Sequence, residues 1–263
     1  MIVLHPALPF APWADPRTRR LPGVMPLDMD DWLRVDAAYA GQMALRDVLI
    51  ATRAGAVHAV LPEAVAAAEE LLALVLPRLP GLGFAAGPGG WRRPDGVVVA
   101  EGTGPLLTLG RLMQNDFCLM QADGAGEPAL TGAILCFPAG WTLAEKLGRP
   151  LLRIHRPVEP YSDDIGRRVQ RLMDGIRPET PMWRANANYS RAPLFNPQPE
   201  DQDRSLRRMA YPYIRSERQC LIRLPRTRAV VFSIHTYLVR RADLTPDQAA
   251  ALQAFPLHDP GLV

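Results

Sequence analysis

The front of the chain carries apolar side chains at the spacing of amphipathic helices. The pattern over residues 28–53 predicts one helix, for which Asp28 or Asp30 can supply the N-cap. A second helix is predicted from Pro62 to about Val75, with the proline in its first turn. We expect these two helices to pack together through their apolar faces.

Short apolar runs of strand length follow a turn-rich stretch at residues 87–96. Because glycine and proline are dense in that stretch, it is predicted to be a loop and a boundary behind the helical front. Glycine, proline or aspartate separates the runs from one another. The predicted strands are Val97–Ala100, Leu106–Leu109, Phe117–Met120 and Ala133–Phe137.

Two more helices are predicted in the second half of the chain. Thr142 as N-cap, Glu145 as its capping-box partner and Gly148 as the residue after the last turn indicate a short helix. A longer helix is predicted from Ser162 to about Ile176.

Alternating residues near the C-terminus predict a long β-hairpin. Its strands are Tyr213–Leu224 and Ala229–Val239, joined by a tight turn at residues 225–228. The alternation indicates one buried face, and His235 falls on the other, less buried one. A last helix is predicted to begin at Thr245, where a capping residue, a proline and an acid follow each other.

The order of these elements predicts an α+β fold with an antiparallel sheet, because strands and helices do not alternate regularly. The proline-rich residues 1–27 are expected to form an extended arm over the domain surface, anchored by Phe10 and Trp13. Residues 28–263 are expected to form a single domain, whose helical front spans residues 28–80.

Composition and charge narrow the class of protein. The net charge of +3 comes from scattered arginines, since Lys146 is the only lysine, so nucleic-acid binding is not favoured. Three cysteines without CxxC spacing predict neither a disulfide framework nor a structural zinc site. No uncharged apolar stretch reaches the ~18 residues of a membrane span, and the N-terminus does not resemble a secretory leader. We therefore expect a cytoplasmic protein that does not insert into a membrane.

Several common enzyme motifs are absent from the sequence. The glycines at 102–104 lack the spacing and the following helix that a pyrophosphate site needs, and no P-loop lysine occurs. No serine lies in a nucleophile elbow and no HExxH helix is present, so hydrolase chemistry is not indicated.

His155 is the histidine whose local sequence best suits an iron ligand. It lies in Leu151–Val158, interpreted as an apolar strand that runs into a proline-fixed turn, with Arg153 and Arg156 available for the carboxylates of a haem. A structural histidine is the alternative. His235 is the rival ligand, and a side chain on a sheet surface is its alternative role.

Two carboxylates are candidates for catalysis. Asp116 begins an apolar strand, and Glu217 lies within a strand of the predicted hairpin. A carboxylate buried among apolar residues has to be paired or functional. The alternatives are a solvent-exposed turn acid for Asp116 and a cross-strand ion pair for Glu217.

Six segments together resemble the haem-dependent oxidative N-demethylase alpha-subunit-like family. They follow each other in the order of that family, and the resemblance extends from about residue 20 to 242, with weaker support from Trp32, Asp36 and Tyr39. The segments are Gln114–Met120, Cys136–Trp141 with Glu145–Gly148, Ile154–Val158, Arg184–Asn186, Glu217–Gln219 with Leu224–Pro225, and Thr236–Tyr237.

This resemblance implies a PAS-like antiparallel sheet that binds haem, activates O2 and removes a methyl group from a small secondary or tertiary methylamine as formaldehyde. The family's histidine ligand corresponds to His155. Arg153, Arg156 and Arg184 are the candidates for the haem propionates, and Asp116 and Glu217 are the candidate proton donors.

The resemblance also implies a partner and shows two departures. The chain has no iron–sulfur cysteine pattern and no dinucleotide motif, so electrons are expected from a separate flavin or iron–sulfur reductase subunit. Asn115 and Ala187 differ from the family pattern at positions expected to line a distal pocket. A non-catalytic PAS-like protein that binds or senses haem or another small ligand is the alternative function.

Overall fold

The computed structural model describes residues 2–19, 23–100, 102–122, 126–155, 170–191, 193–200 and 211–257. Within them, the chain forms helices and two antiparallel sheets. The α+β class with an antiparallel sheet, predicted from the order of the elements, is confirmed.

The strands are numbered here in chain order. They are β1 Met25–Pro26, β2 His58–Val60, β3 Ala85–Gly87, β4 Gly90–Arg92, β5 Val98–Val99, β6 Asp116–Ala122, β7 Pro128–Ile134, β8 Met182–Ser190, β9 Tyr213–Arg223 and β10 Val230–Arg240. The larger sheet has the order β1-β8-β9-β10-β6-β7-β2, and β3-β4-β5 form the smaller sheet.

The helices lie before, between and after the strands of the larger sheet. The α-helical segments are α1 Pro16–Arg19, α2 Tyr39–Thr52, α3 Ala54–Val57, α4 Val65–Val75, α5 Pro105–Leu112, α6 Leu143–Lys146, α7 Leu151–His155, α8 with residues 170–175, and α9 Pro246–Ala254. Short 3-10 helices occupy Met29–Asp31, Pro62–Ala64, Leu76–Arg78, Pro80–Leu82 and Arg241–Asp243. Among the described residues, no helix has both the length and the apolar run needed to cross a bilayer.

The hairpin of β9 and β10 is the best predicted part of the fold. Its strands pair in register from Tyr213↔Arg240 to Arg223↔Val230. The expectation of a single buried face is wrong, however, because almost every residue of both strands is buried. Other elements of the chain therefore cover the sheet on both sides.

Two predicted strands are helices, and a proline lies at or directly before the first residue of each. Leu106–Leu109 lies in α5, whose first residue is Pro105. The segment from Leu151 to His155 forms α7, directly after Pro150. Proline favours the first turn of a helix because its φ angle is preset and its missing N–H is not needed there.

The remaining differences are shifts of boundaries and several elements that were not predicted, including the strands β1, β2, β3 and β4. The predicted helix over 28–53 is a short 3-10 turn followed by α2, because the amide of Asp36 bonds to the Gln114 side chain instead of continuing a helix. Residues 87–96 contain β4 as well as turns, and the predicted strand Ala133–Phe137 is the end of β7 and the residues after it. β8 was not predicted.

The two smaller helices near the predicted site agree with the sequence in part. α6 begins after Thr142, and Gly148 has the left-handed φ of 72° that favours glycine after a helix. The expected capping box is wrong, because the Thr142 hydroxyl donates to Glu145 and no backbone amide bonds to it. α8 agrees with the second half of the predicted helix Ser162–Ile176, whose first half lies outside the described residues.

One face of the larger sheet, here the front face, packs against the N-terminal half of the chain. Its side chains join those of α2, α4 and α5 in the largest apolar core. α2 and α4 both contact α5, which lies between them in the core. Near the N-terminus, Trp13 is buried and its indole N–H donates to the Gln248 carbonyl over 3.0 Å.

Candidate functional site

The opposite face of the sheet, here the back face, is apolar at one end and polar at the other. Directly paired residues of antiparallel strands project from the same face. One row across the sheet is Met182, Leu221, Phe232 and Cys118. The next row contains Arg184, Gln219 and Ile234, and the row after it contains Asn186, Glu217 and Thr236, so the back face becomes mostly polar within two rows.

Helices α7 and α8 cover the apolar end of the back face. Leu151 and Ile154 of α7, with Leu172 and Met173 of α8, pack against the apolar row. The Lys146 ammonium donates to the Ile154 carbonyl over 2.6 Å and so ties the end of α7 to α6. The C-terminal end of α7, which is His155, is thereby held next to this face.

The polar end carries a connected group of side chains that we call the polar cluster. It consists of Arg184, Asn186, Arg215, Glu217, Gln219 and Thr236, on the three adjacent strands β8, β9 and β10. Asn186, Glu217 and Thr236 form one cross-strand row, and Arg184 pairs with Gln219 in the next.

Glu217 is the centre of the polar cluster and is 8% exposed. Its Oε1 accepts from Arg215 Nε at 3.0 Å, and its Oε2 accepts from Gln219 Nε2 at 2.9 Å and Asn186 Nδ2 at 3.3 Å. The expected cross-strand ion pair is wrong in detail, since the cation lies on the same strand. The three donors fix the orientation of this carboxylate.

Arg215 connects the polar cluster to two loops. Its guanidinium donates to the carbonyl oxygens of Phe137 and Leu194, and it is itself buried. Glu217 therefore rests on a cation that cannot rotate away without breaking contacts elsewhere in the fold.

Two polar atoms of the cluster have no hydrogen-bond partner within the described residues. They are the buried Arg184 Nε and Asn186 Oδ1, on alternate residues of β8. Burial lowers the pKa of the Arg184 guanidinium, and the nearby Glu217 carboxylate opposes that shift only in part. A buried donor and a buried acceptor without partners are costly in a folded protein, which is why such atoms mark places where a ligand can bind.

The residues predicted to hold haem lie at different places in the fold. His155 ends α7 beside the apolar part of the back face. Arg153 is on the surface and forms an ion pair with Glu200 at 3.1 Å, whereas Arg184 belongs to the polar cluster. Arg156 lies outside the described residues.

Asp116 is part of a buried ion pair. The Arg46 guanidinium donates to its Oδ1 at 2.6 Å, and the backbone amides of Cys136 and Phe137 donate to its two oxygens at 2.7 and 2.8 Å. Arg46 and Asp116 are 0% and 1% exposed, so the alternative of a solvent-exposed turn acid is wrong. These contacts join α2 to the ends of β6 and β7. A role of Asp116 in turnover stays a prediction.

Removing one member of this pair is expected to destabilise the fold. In Arg46→Met the Asp116 carboxylate stays buried without its cation, and breaking a buried pair in this way costs about 3–5 kcal/mol of unfolding free energy. Urea denaturation of the purified variant measures the loss. Arg34→Met is the matched control, because Arg34 pairs with a half-exposed Asp31 and should change stability by less than about 1 kcal/mol. Equal stability of both variants would contradict this role.

His235 lies on the front face and is bound to Asp36. Its Nε2 is 2.8 Å from Asp36 Oδ2, and His5 Nε2 is 3.0 Å from the same oxygen. These hydrogen bonds lower the pKa of Asp36 although burial raises it, and burial lowers the pKa of His235. A histidine held in this way, with the sheet between it and the polar cluster, does not face the back of the sheet.

The same three residues have the composition of a metal site, but their protonation fits hydrogen bonds better. Their ligand atoms lie within 4.8 Å of one another. His5 Nδ1 accepts the amide hydrogen of Leu238 at 3.2 Å, so a neutral His5 carries its proton on Nε2, the atom that faces Asp36. An N–H there donates to the carboxylate and has no lone pair for a metal.

The two departures from the family pattern lie on the front face. Asn115 donates to the Ser233 hydroxyl at 3.0 Å, and Ala187 packs with the cluster around Ile214 and Tyr237. Neither residue borders the polar cluster. The expectation that both line a distal pocket stays a prediction.

The sequence contained a signal for the polar cluster that single-residue reasoning missed. Asn186 and Gln219 lie two residues from Arg184 and Glu217, and alternate residues of a strand share a face. Recognising β8 as a strand would have placed Arg184 and Asn186 on one of its faces, as the hairpin strand β9 places Glu217 and Gln219 on one of its own. Arg215 lies two residues before Glu217, so the same spacing places it on this face as well.

The fold and the back face define the class of protein. This is an α+β protein in which an antiparallel sheet carries a buried polar cluster beside an apolar surface. Residues 23–82 and 90–255 match the family model described as haem-dependent oxidative N-demethylase, alpha subunit-like, and the chain belongs to this family. The resemblance inferred from the six segments is confirmed.

Proposed function

We propose that this chain is the catalytic subunit of a haem-dependent oxidative N-demethylase that holds haem on the back face of the sheet. Its substrate is a small secondary or tertiary methylamine, and formaldehyde is released. The observation that carries the proposal is Arg184, a partly buried cation whose Nε has no hydrogen-bond partner among the described residues, on a sheet face that is apolar beside it.

The residues of the back face suit a haem. A haem needs an apolar surface for its ring and cations for its propionates. The row through Leu221 and Phe232, together with the α7 and α8 side chains that pack on it, supplies apolar surroundings, and Arg184 supplies the cation. In addition, the five central strands β7-β6-β10-β9-β8 have the order 2-1-5-4-3 when they are numbered along the chain, which is the order of a PAS domain.

His155 is the proposed iron ligand. It ends a helix that packs against the apolar part of the back face, so its backbone lies on the side of the sheet that carries Arg184. Arg153 and Arg156 remain candidate propionate partners, but the ion pair of Arg153 with Glu200 makes Arg184 the stronger one.

The residues of the polar cluster have separable roles in the proposed reaction. Bound haem supplies O2 activation and the oxidation of the methyl group. Arg215 and Gln219 hold the Glu217 carboxylate in one orientation, and we assign Glu217 the transfer of protons at its Oε atoms. Asp116 is the weaker candidate, because its two oxygens already accept from Arg46 and two backbone amides.

The reaction needs electrons from another protein. One oxygen atom of O2 is transferred to the methyl carbon and the other leaves as water, which consumes electrons and protons as well as O2. A separate flavin or iron–sulfur reductase subunit is the proposed donor. We place the protein in the cytoplasm, because its three cysteines are free and buried, which is typical of proteins in a reducing compartment.

An absorption spectrum of the protein, purified after expression with a supply of haem, tests the proposal. We expect a Soret band in stoichiometric amount and O2 uptake that depends on an added methylamine and a reductant. A protein without a Soret band would refute haem binding. A Soret band without amine-dependent O2 uptake would instead favour the non-catalytic haem-binding or sensing function.

Arg184→Met is expected to weaken haem retention without unfolding the chain. The variant removes the proposed propionate partner and leaves a side chain of similar length on a half-buried strand. A lost hydrogen bond to a charged group corresponds to roughly a 10- to 100-fold faster transfer of haem to apomyoglobin. Arg153→Met is the control, since Arg153 already pairs with Glu200 on the surface. Identical transfer rates in wild type and Arg184→Met would show that the propionates bind elsewhere.

A further inference from the structure

Asn186 presents an acceptor without a partner next to a carboxylate. Its Nδ2 donates to Glu217 Oε2 at 3.3 Å, while its Oδ1 is buried and has no hydrogen bond within the described residues. Rotating the amide by half a turn would bring Oδ1 against the Glu217 oxygen. Both atoms are acceptors, so no hydrogen bond could form between them. The hydrogen bond to Glu217 therefore fixes which atom of Asn186 is left over.

Glu217 also has capacity for one more donor. A carboxylate offers about four lone-pair positions, and the hydrogen bonds from Arg215, Asn186 and Gln219 use three of them, with Arg215 Nη2 also 3.0 Å from Oε1 in the ion pair. The two acceptors, Asn186 Oδ1 and the Glu217 carboxylate, lie on neighbouring strands in directly paired positions. Side chains in such positions are close enough to bind one small group between them.

The complement of two acceptors and a negative charge is a cation that carries N–H groups. A protonated secondary or tertiary methylamine has this chemistry, whereas a quaternary ammonium ion has the charge without the N–H. An anionic ligand would place a second negative charge against Glu217, whose own charge is already paired with Arg215. Arg184, on the next row, is itself a cation and a hydrogen-bond donor, so it does not bind such a ligand.

We propose that Asn186 Oδ1 and Glu217 form a subsite for the N–H of a protonated methylamine, with Asn186 as the residue that determines specificity for N–H-bearing over quaternary ammonium ions. The subsite rests on the proposed function for the identity of the amine, but its geometry does not depend on haem. Asn186 acts by accepting a hydrogen bond from the substrate nitrogen.

Calorimetric titration with methylammonium ions tests the subsite directly. Wild-type protein, as purified, is titrated with dimethylammonium, trimethylammonium and tetramethylammonium chloride. We expect dimethylammonium to bind about 10- to 100-fold more tightly than tetramethylammonium, the factor for a hydrogen bond to a charged group. Asn186→Leu should abolish this preference. Asn188→Leu is the matched control, because Asn188 is the next residue on the same strand face and is exposed.

The outcomes separate the subsite from the proposed function. Equal affinity for dimethylammonium and tetramethylammonium, no binding of either, or an unchanged preference in Asn186→Leu overturns the subsite, and a Soret band in the same sample leaves haem binding intact. A preference that depends on Asn186 in a protein without a Soret band supports the subsite and refutes the haem function. The comparison of ions needs no variant, so misfolding of Asn186→Leu would not prevent the test.

Discussion

His155→Ala is expected to leave the purified protein with little or no bound haem, whereas a variant of His235 retains it. The reason is that the two histidines lie on opposite sides of the sheet. His155 ends α7, which packs against the apolar part of the back face, while His235 lies on the front face with its Nε2 bound to Asp36. Loss of the single protein ligand to iron removes the directional bond that holds the cofactor, and the apolar contacts alone bind it weakly.

The comparison needs a conservative variant of His235. His235→Gln keeps an N–H donor for Asp36 and so limits the loss of stability that His235→Ala would cause by leaving a buried carboxylate short of a donor. The Soret absorbance per polypeptide, with the melting temperature as a check of folding, gives the haem content of each variant. Added imidazole should restore part of the Soret band in His155→Gly. Equal haem loss in the His155 and His235 variants would overturn the assignment, and full haem content in His155→Ala would place the ligand elsewhere.

The sequence predicted the parts of the fold whose signal is local. Alternation over β10 and the short connection at residues 225–228 identified the hairpin, and the sequence of a capping residue and a proline identified α9, where Thr245 caps the helix as expected. Prolines misled the interpretation at α5 and α7, because a short apolar run after a proline fits both a strand and the first turns of a helix. β8 was missed since its front-face residues include small alanines instead of large apolar residues.

The candidate site was predictable residue by residue but not as a unit. Glu217 and Arg184 were singled out, yet their association depends on the pairing of β8 with β9, which no local pattern specifies. The partner of Asp116 is Arg46, 70 residues away along the chain, and the partners of Asp36 are His5 and His235. Contacts of this kind are set by tertiary packing, so sequence reasoning could say that these groups need partners but could not name them.

Glu217→Gln is expected to lower amine-dependent O2 uptake by about 10²- to 10⁴-fold, the usual cost of removing a group that transfers protons. The substituted amide has the size of the carboxylate, so the haem spectrum and the melting temperature should stay close to those of wild type. The effect should fall mainly on kcat when each enzyme is saturated with amine, because proton transfer belongs to the reaction and not to binding alone.

Asp116→Asn is the contrasting variant, because it separates a catalytic carboxylate from a structural one. Asp116 accepts from Arg46 and from the amides of Cys136 and Phe137, so an asparagine there weakens a buried ion pair and should lower the melting temperature. Glu217 lies instead beside Asn186, whose buried Oδ1 has no hydrogen-bond partner within the described residues, and it is the carboxylate that we propose for contact with the substrate nitrogen. A stable Asp116→Asn protein that binds haem but takes up little O2 would transfer the catalytic assignment to Asp116, and wild-type turnover in Glu217→Gln would show that the polar cluster serves binding and structure alone.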